Sequence, residues 1–422
     1  MQSSRRLEHR VLTYEINQIT ATKGCTFDQC SITPRYLKDK MPLPPVMPAE
    51  QPEPPTPVEP AVEHILTYME VDQAGQYTGK TITLANIEFR ALQYADMIDH
   101  KLGSPISIPL QMENARVVES TVEGVQAEMT ASAQALLQST YSSRGIGLVR
   151  GGWLPAGMAL QDGVTVIPDR CTLSEIAGRF RDGEKTRAQD RDFLDLFAGR
   201  AIRINPLLYA LEGNLKRNPT PENIEQQFDV ACGIVRAALP LAQLVPLGRE
   251  GLRGVAGLAK DSELGMARKQ EFLVRLAPKL RALVAFRDIP NLWDEILTTA
   301  DACGVPRRSL VVLAALSTVC VPNGKSPAKR LLKVTASKYT AEHAYNALAD
   351  LRSLEILIHL FARYPDEKVF LCTNDKDLAL FWAGIRASNF TVIQGQLAVT
   401  FCPVDELLVN APSDRRAKYL SG

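Results

Sequence analysis

The chain has 422 residues, 45% of them hydrophobic and 23% charged, with a formal net charge of +1. That length suits two or three folded units, or one domain with a large insertion, and the composition is apolar enough to bury a core. A charge so close to zero excludes a globally basic nucleic-acid binder and an acidic tail protein, so any polyanion site must be local.

The first residues carry Arg5, Arg6 and Arg10 without an apolar stretch, which argues against a secretory signal. Residues 1–41 form an arm of weak pattern. Nine prolines fall between Pro42 and Pro60, so 42–60 is expected to be an extended, stiff linker. Residues 61–150 read as a mostly helical region of unknown role, with helices over 82–101 and 117–137 and an extended stretch at 104–110. The glycine-rich run 145–152 lacks the Lys-Ser/Thr or the spacing of a phosphate cradle and reads as a loop.

From Gly151 the pattern changes. The β-branched run 164–167 predicts a strand, followed by Pro168-Asp169-Arg170 and a helix over 171–180. A strand-like apolar stretch, 201–211, leads into Glu212. Thr220-Pro221 introduces a helix over 222–238. Helical spacing continues over 264–286 and 289–302, and 310–321 is apolar all round, a buried helix too short to span a bilayer. Residues 337–361 predict one long amphipathic helix or two. Residues 369–372 form a short strand running into Asp375 and Asp377, with a helical pattern from Leu378. Two short β-branched runs, 391–393 and 397–401, close the region. Strands at both ends with helices between them predict one α/β unit over 151–411.

Eight cysteines, spread thinly through apolar surroundings, are best explained as buried reduced thiols in a cytoplasmic protein. Cys25 and Cys30 have no second pair at zinc-ligand spacing.

Four acids recur at strand ends or inward helix positions: Asp169, Glu212, Asp350 and Asp375. Each alone is explained by a helix cap or a solvated loop. Brought together, they would repel unless a cation neutralised them, and oxygen-only donors suit Mg²⁺ or Mn²⁺.

The order of these acids resembles the PIN domain nucleases over roughly residues 160–410. Val164-Thr-Val-Ile-Pro-Asp-Arg-Cys-Thr-Leu-Ser-Glu-Ile176 is similar to the family's first strand and helix, and Cys372-Thr-Asn-Asp-Lys-Asp-Leu378 to its Thr/Ser-x-Asp signature. The resemblance implies a three-layer α/β/α parallel sheet and metal-dependent hydrolysis of phosphodiester bonds, most often in RNA. Asp169 and Asp375 would be the primary metal ligands, Glu212 a third, and Asp350 or Asp377 a supporting acid. Thr373 would orient a ligand through its hydroxyl. The long separation of Asp169 and Asp375 makes about 239–338 an inserted helical block. The alternative is a catalytically inactive PIN-like module that binds RNA or protein, and the N-terminal region is a candidate for contacting a protein partner.

Basic residues must hold a polyanion. Arg170, beside the first acid, and the cluster Lys329, Arg330 and Lys333 are the candidates, with a solvated helix face as the plainer explanation of the cluster. Asn346 is placed to support Asp350. His343 fits helix-face hydrogen bonding better than a general base. Trp153, Trp293 and Trp382 are expected to pack, and no aromatic interleaved with charge stands out for base stacking.

Overall fold

A computed structural model describes residues 16–22, 66–71 and 76–421, apart from short breaks at 86–87, 162, 187–190, 213–215, 246–247, 323–324 and 394–395. The proline-rich linker at 42–60 and most of the arm at 1–41 lie outside the described residues. The chain is mixed α/β.

The region before residue 150 is built from strands, which corrects the helical reading of 61–150. Strands β1 (Ile16–Thr22), β2 (Leu66–Val71), β3 (Tyr77–Ala85), β4 (Pro105–Ser120) and β5 (Thr130–Ser142) form an antiparallel sheet in the order β1-β5-β4-β3-β2, and Glu88–Phe89 adds to β4. Within 82–101 only α1, Tyr94–Ile98, is helical. The reason is periodicity. Ala115 and Val117 are buried while their neighbours are more exposed, a spacing of two that belongs to a strand. Gly124, at φ +78°, then turns the chain between β4 and β5, where a helix had been expected to run through.

The second sheet contains β6 (Ile146–Val149), β7 (Gly152–Pro155), β8 (Thr165–Pro168), β9 (Arg203–Ile204), β10 (Gln243–Leu244) and β11 (Val369–Thr373). Its order is β10-β9-β8-β11-β6-β7; the first four strands run parallel and the β6–β7 hairpin is antiparallel to β11. The glycine-rich run is therefore this hairpin rather than a loop. At Gly152 an added Cβ would lie 2.0 Å from the carbonyl oxygen of Leu92, which accepts from the Trp153 amide at 3.0 Å. Gly152→Ala is expected to cost at least ~2 kcal/mol, because backbone blocks the new methyl. Urea unfolding reads this directly, and an unchanged midpoint would contradict it.

The helices follow the expected periods more closely. They are α2 (Arg170–Arg179), α3 (Leu207–Glu212), α4 (Pro221–Ala238), α5 (Gly248–Arg281), α6 (Ile289–Ala302), α7 (Leu310–Cys320), α8 (Pro327–Leu331), α9 (Ala341–Arg363) and α10 (Lys376–Ile385). Thr220 caps α4, and every residue of α7 is buried, as its apolar composition requires. Helices α5 to α8 fill most of the span 239–338 that was expected as a helical block, but Gln243–Leu244, within that span, joins the sheet as the outer parallel strand. The last strands, β12 (Ala387–Ile393) and β13 (Gln396–Phe401), pair only with each other among the described residues. No helix of the described residues is long and apolar enough to cross a membrane.

From β8 the chain steps outward to β9 and β10 on one side, then returns to β11 on the other. The crevice outside the carboxyl ends of β8 and β11 is thus a topological switch point, where open α/β sheets receive their ligands.

Candidate functional site

Asp169 and Asp375 leave the sheet side by side at that switch point. The Asp169 amide donates to the Cys372 carbonyl at 2.9 Å, placing Asp169 across from the Thr373-Asn374-Asp375 turn. Each acid opens a helix. Asp169 caps α2 by accepting from the Thr172 amide at 2.7 Å, and Asp375 caps α10 by accepting from the amides of Asp377 at 2.8 Å and Leu378 at 3.1 Å. The alternative in which Asp377 caps a helix starting at Leu378 is therefore corrected.

Thr373 joins the pair. Its buried hydroxyl accepts from the Asp375 amide at 3.0 Å and lies close enough to the Asp169 carboxylate to favour its charged form. The hydroxyl expected to orient a ligand thus lies at the turn that carries Asp375. Thr172 adds a second tie through its hydroxyl, which donates to the Cys372 carbonyl at 3.0 Å.

Glu212 arrives from a helix. Only Arg203–Ile204 of the stretch expected as strand is extended; Asn205 accepts from the Leu207 amide at 3.1 Å and starts α3, whose last residue is Glu212. Two side chains of α9 hold that helix end: Arg352 donates to the Leu211 carbonyl at 2.5 Å, and the Tyr345 hydroxyl to the Glu212 carbonyl at 3.2 Å. Cations and donors suit a helix C-terminus, whose carbonyls lack intrahelical partners. The Glu212 carboxylate lies near Arg170, one residue beyond Asp169, which favours its charged form. Asp350, also on α9, accepts from Lys333 Nζ at 2.8 Å. Lys333 adopts φ +55°, a left-handed conformation costly for a side chain with a Cβ.

Titration behaviour places the four acids in one neighbourhood. Burial pushes the Glu212 carboxyl up to about 8, with the charges of Asp169 and Asp350 adding and Arg170 opposing. Burial likewise pushes Asp350 up to about 6; the Lys333 ammonium opposes this, while Asp375 and Asp169 add to it. Asp169 is raised by burial and by Asp375, against the hydrogen bonds from Thr373 and Thr172.

One resident of this neighbourhood went unnoticed in the sequence. Cys171 is exposed, yet desolvation of its thiol and then the charges of Asp169, Glu212, Asp350 and Asp375 raise it to about 11. Its place after Asp169 was the available signal, hidden by the expectation of buried thiols. That expectation holds for Cys232, Cys303, Cys320 and Cys372 but fails for Cys171 and Cys402.

The remaining candidates separate. Asp377 is held by Arg330, with Nε 2.8 Å from Oδ2, and its charge acts on Tyr94, Lys376 and Arg330. This corrects its assignment as a metal ligand. Lys329 is buried and donates to the carbonyls of Arg281 at 3.1 Å and Ala282 at 3.4 Å, a structural duty that corrects its assignment to substrate. Arg330 and Lys333 are each engaged by an acid. Arg170 lies over the Tyr209 ring, 4.3 Å from its centroid, and reaches Gln227 at 3.2 Å. Asn346 sits one turn before Asp350 on α9. His343 belongs to the capping box of α9 and stacks on Tyr339, as helix-face duty predicts.

Burial of a carboxylate that folds at a raised pKa makes a direct prediction. Glu212→Gln removes the charge and keeps the shape, so it should stabilise the protein at about pH 8.5 by roughly 2 kcal/mol or more and change little at about pH 5. Urea unfolding at both values tests this; equal effects at the two would contradict it.

Among the described residues, no three His, Cys, Asp or Glu side chains converge closely enough to hold a metal ion between them. The chain matches no family model, no curated protein and no solved structure.

Proposed function

We propose that the chain is a divalent-metal-dependent endoribonuclease with a PIN-like, three-layer α/β/α nuclease unit. The observation that carries this reading is the pairing of Asp169 and Asp375 at the ends of adjacent parallel strands, where the Asp169 amide donates to the Cys372 carbonyl and the Asp375 amide to the Thr373 hydroxyl. Glu212 and Asp350 add two more carboxylates to the same neighbourhood.

The donor chemistry fits a hard cation. The acids are oxygen donors, they raise one another's pKa, and among the described contacts the ammonium paired directly with one of them is that of Lys333. Asp169 and Asp375 would hold Mg²⁺ or Mn²⁺ between them, and Glu212 would have to move in to serve as third ligand, since no three such side chains converge among the described residues. When bound, such an ion supplies a water of lowered pKa and compensates phosphate charge. The chain's own residues do the rest. Thr373 fixes the Asp375 backbone and stands beside the Asp169 carboxylate. Arg352 and Tyr345 fix the end of α3 and thereby the reach of Glu212. Arg170, beside both Asp169 and Glu212, is the nearest candidate to meet a scissile phosphate.

A second reading has its own support. The Lys333 ammonium already compensates Asp350, which favours a catalytically silent module that binds RNA or protein. Cleavage of single-stranded RNA with Mn²⁺, compared among wild type, Asp169→Asn and Asp375→Asn, separates the two: activity lost in both variants supports the nuclease, and equal rates in all three overturn it.

A further inference from the structure

The tryptophans are buried, as expected, whereas Tyr77, Tyr364 and, most of all, Phe286 are exposed among the described aromatics. Between the end of α5 at Arg281 and the start of α6 at Ile289, the turn projects Leu283, 81% exposed, and Phe286, 72% exposed. Next to Phe286 the Arg287 side chain is 88% exposed. The turn is anchored rather than loose: Ile289 is buried and Val284 packs against the core. An exposed ring fixed on an anchored turn loses little conformational freedom when a ligand covers it.

The charges around the ring favour a polyanion. Lys279, Arg281 and Arg287 lie on the same turn and helix end, and the Arg281 guanidinium donates to the Ser337 carbonyl, bringing the exposed Lys338 alongside. Two acids oppose them: Asp288 pairs with Arg287 at 3.6 Å and Glu295 with Lys279, which leaves Arg281 and Lys338 in excess. Apolar faces beside an excess of cations match the two chemistries of a single-stranded nucleic acid, base faces and phosphates.

The turn is also fastened to the acid neighbourhood. Lys329 of α8 holds the carbonyls of Arg281 and Ala282; its neighbour Arg330 holds Asp377, and Lys333 holds Asp350. One short helix and the turn that follows it therefore tie the projecting ring to the helices that carry the acids. We propose that Phe286 is a stacking platform for an unpaired base of a single strand, with Arg281, Arg287 and Lys338 contacting its backbone. The placement along a strand that reaches the acids rests on the nuclease reading; the stacking itself does not.

The test is fluorescence anisotropy of the full-length chain with a labelled oligouridylate of about twelve nucleotides, in EDTA so that no cleavage intervenes. Wild type should bind, Phe286→Ala should weaken binding at least about fivefold, and Phe286→Trp should restore it. Phe286→Leu, which keeps apolar bulk without a ring, should resemble the alanine variant. Absent binding by wild type, or equal affinity in Phe286→Ala, overturns the proposal. So does a Phe286→Ala variant that keeps oligonucleotide affinity but loses self-association in sedimentation, which would make the turn a protein interface. Failure of the nuclease reading shows elsewhere, as cleavage insensitive to Asp169→Asn.

Discussion

With Mn²⁺ and single-stranded RNA, Asp169→Asn and Asp375→Asn should each lose more than ~100-fold of the cleavage rate, since even residues that only support a metal's ligands are worth ten- to a hundredfold. The substitution is chosen for what it preserves. Both carboxylates cap helices, accepting from the amides of Thr172 in one case and of Asp377 and Leu378 in the other. An asparagine amide oxygen accepts the same bonds and is among the best caps, so α2 and α10 should remain in place. What disappears is charge and metal affinity. Thr373→Val should give an intermediate loss, because it leaves both carboxylates and removes only the hydroxyl beside them. Initial rates, together with circular dichroism melting of each variant, distinguish a lost site from a lost fold. Wild-type rates in both Asp variants would remove the basis of the nuclease assignment.

Mn²⁺ should raise the melting temperature by about 5 °C at about pH 8.5 when present at some hundredfold over its dissociation constant, and by much less at about pH 5.5. The direction follows from the acids. Glu212 at about 8, Asp350 at about 6 and the raised Asp169 hold protons in the folded protein that the unfolded chain releases in the ordinary carboxyl range. The folded state therefore binds more protons across that interval, and stability falls as pH rises from the ordinary carboxyl range through about 8. At the upper end the carboxylates are charged, buried and close together, so a cation relieves the most repulsion there. At the lower end protons occupy the same oxygens and compete. Differential scanning fluorimetry at the two pH values reads both effects. An equal shift at both, or the same shift in Asp375→Asn, would contradict a shared cation.

Legibility in the sequence tracked the strength of local patterns. The run 164–167, the Thr220-Pro221 start of α4 and the all-apolar α7 were readable because one period or one cap dominated each. Asp169 and Asp375 were readable for the same reason, each following a short β-branched or apolar strand. Residues 117–137 imitate helical spacing because apolar residues on a bulged strand lose their strict alternation; β4 carries an extra residue between Val117 and Glu119 opposite Thr83 and Leu84 of β3. Glu212 looked like the end of a strand because 201–211 is uniformly apolar, and only the pairing of Arg203–Ile204 with its neighbours shows how short that strand is. The duties of Lys329, Arg330 and Arg352 were invisible for a different reason. Each reaches a partner distant in sequence, namely the carbonyls of Arg281 and Ala282, the Asp377 carboxylate and the Leu211 carbonyl, and no local spacing encodes such contacts. Phe286 was overlooked because a single aromatic gives no periodic signal. Its exposure arises from a turn that the expected helix over 264–286 had absorbed.

The central claim is that Asp169 and Asp375 share a divalent ion. Crystals of the full chain grown at about pH 8.5 with Mn²⁺ and measured at the manganese absorption edge test it most directly. An anomalous peak is expected between the two carboxylates, with an oxygen of each within roughly 2.2 Å and Glu212 turned toward it. A Mn²⁺-containing crystal with no peak there, or with the carboxylates apart and the ion bound elsewhere, would contradict it.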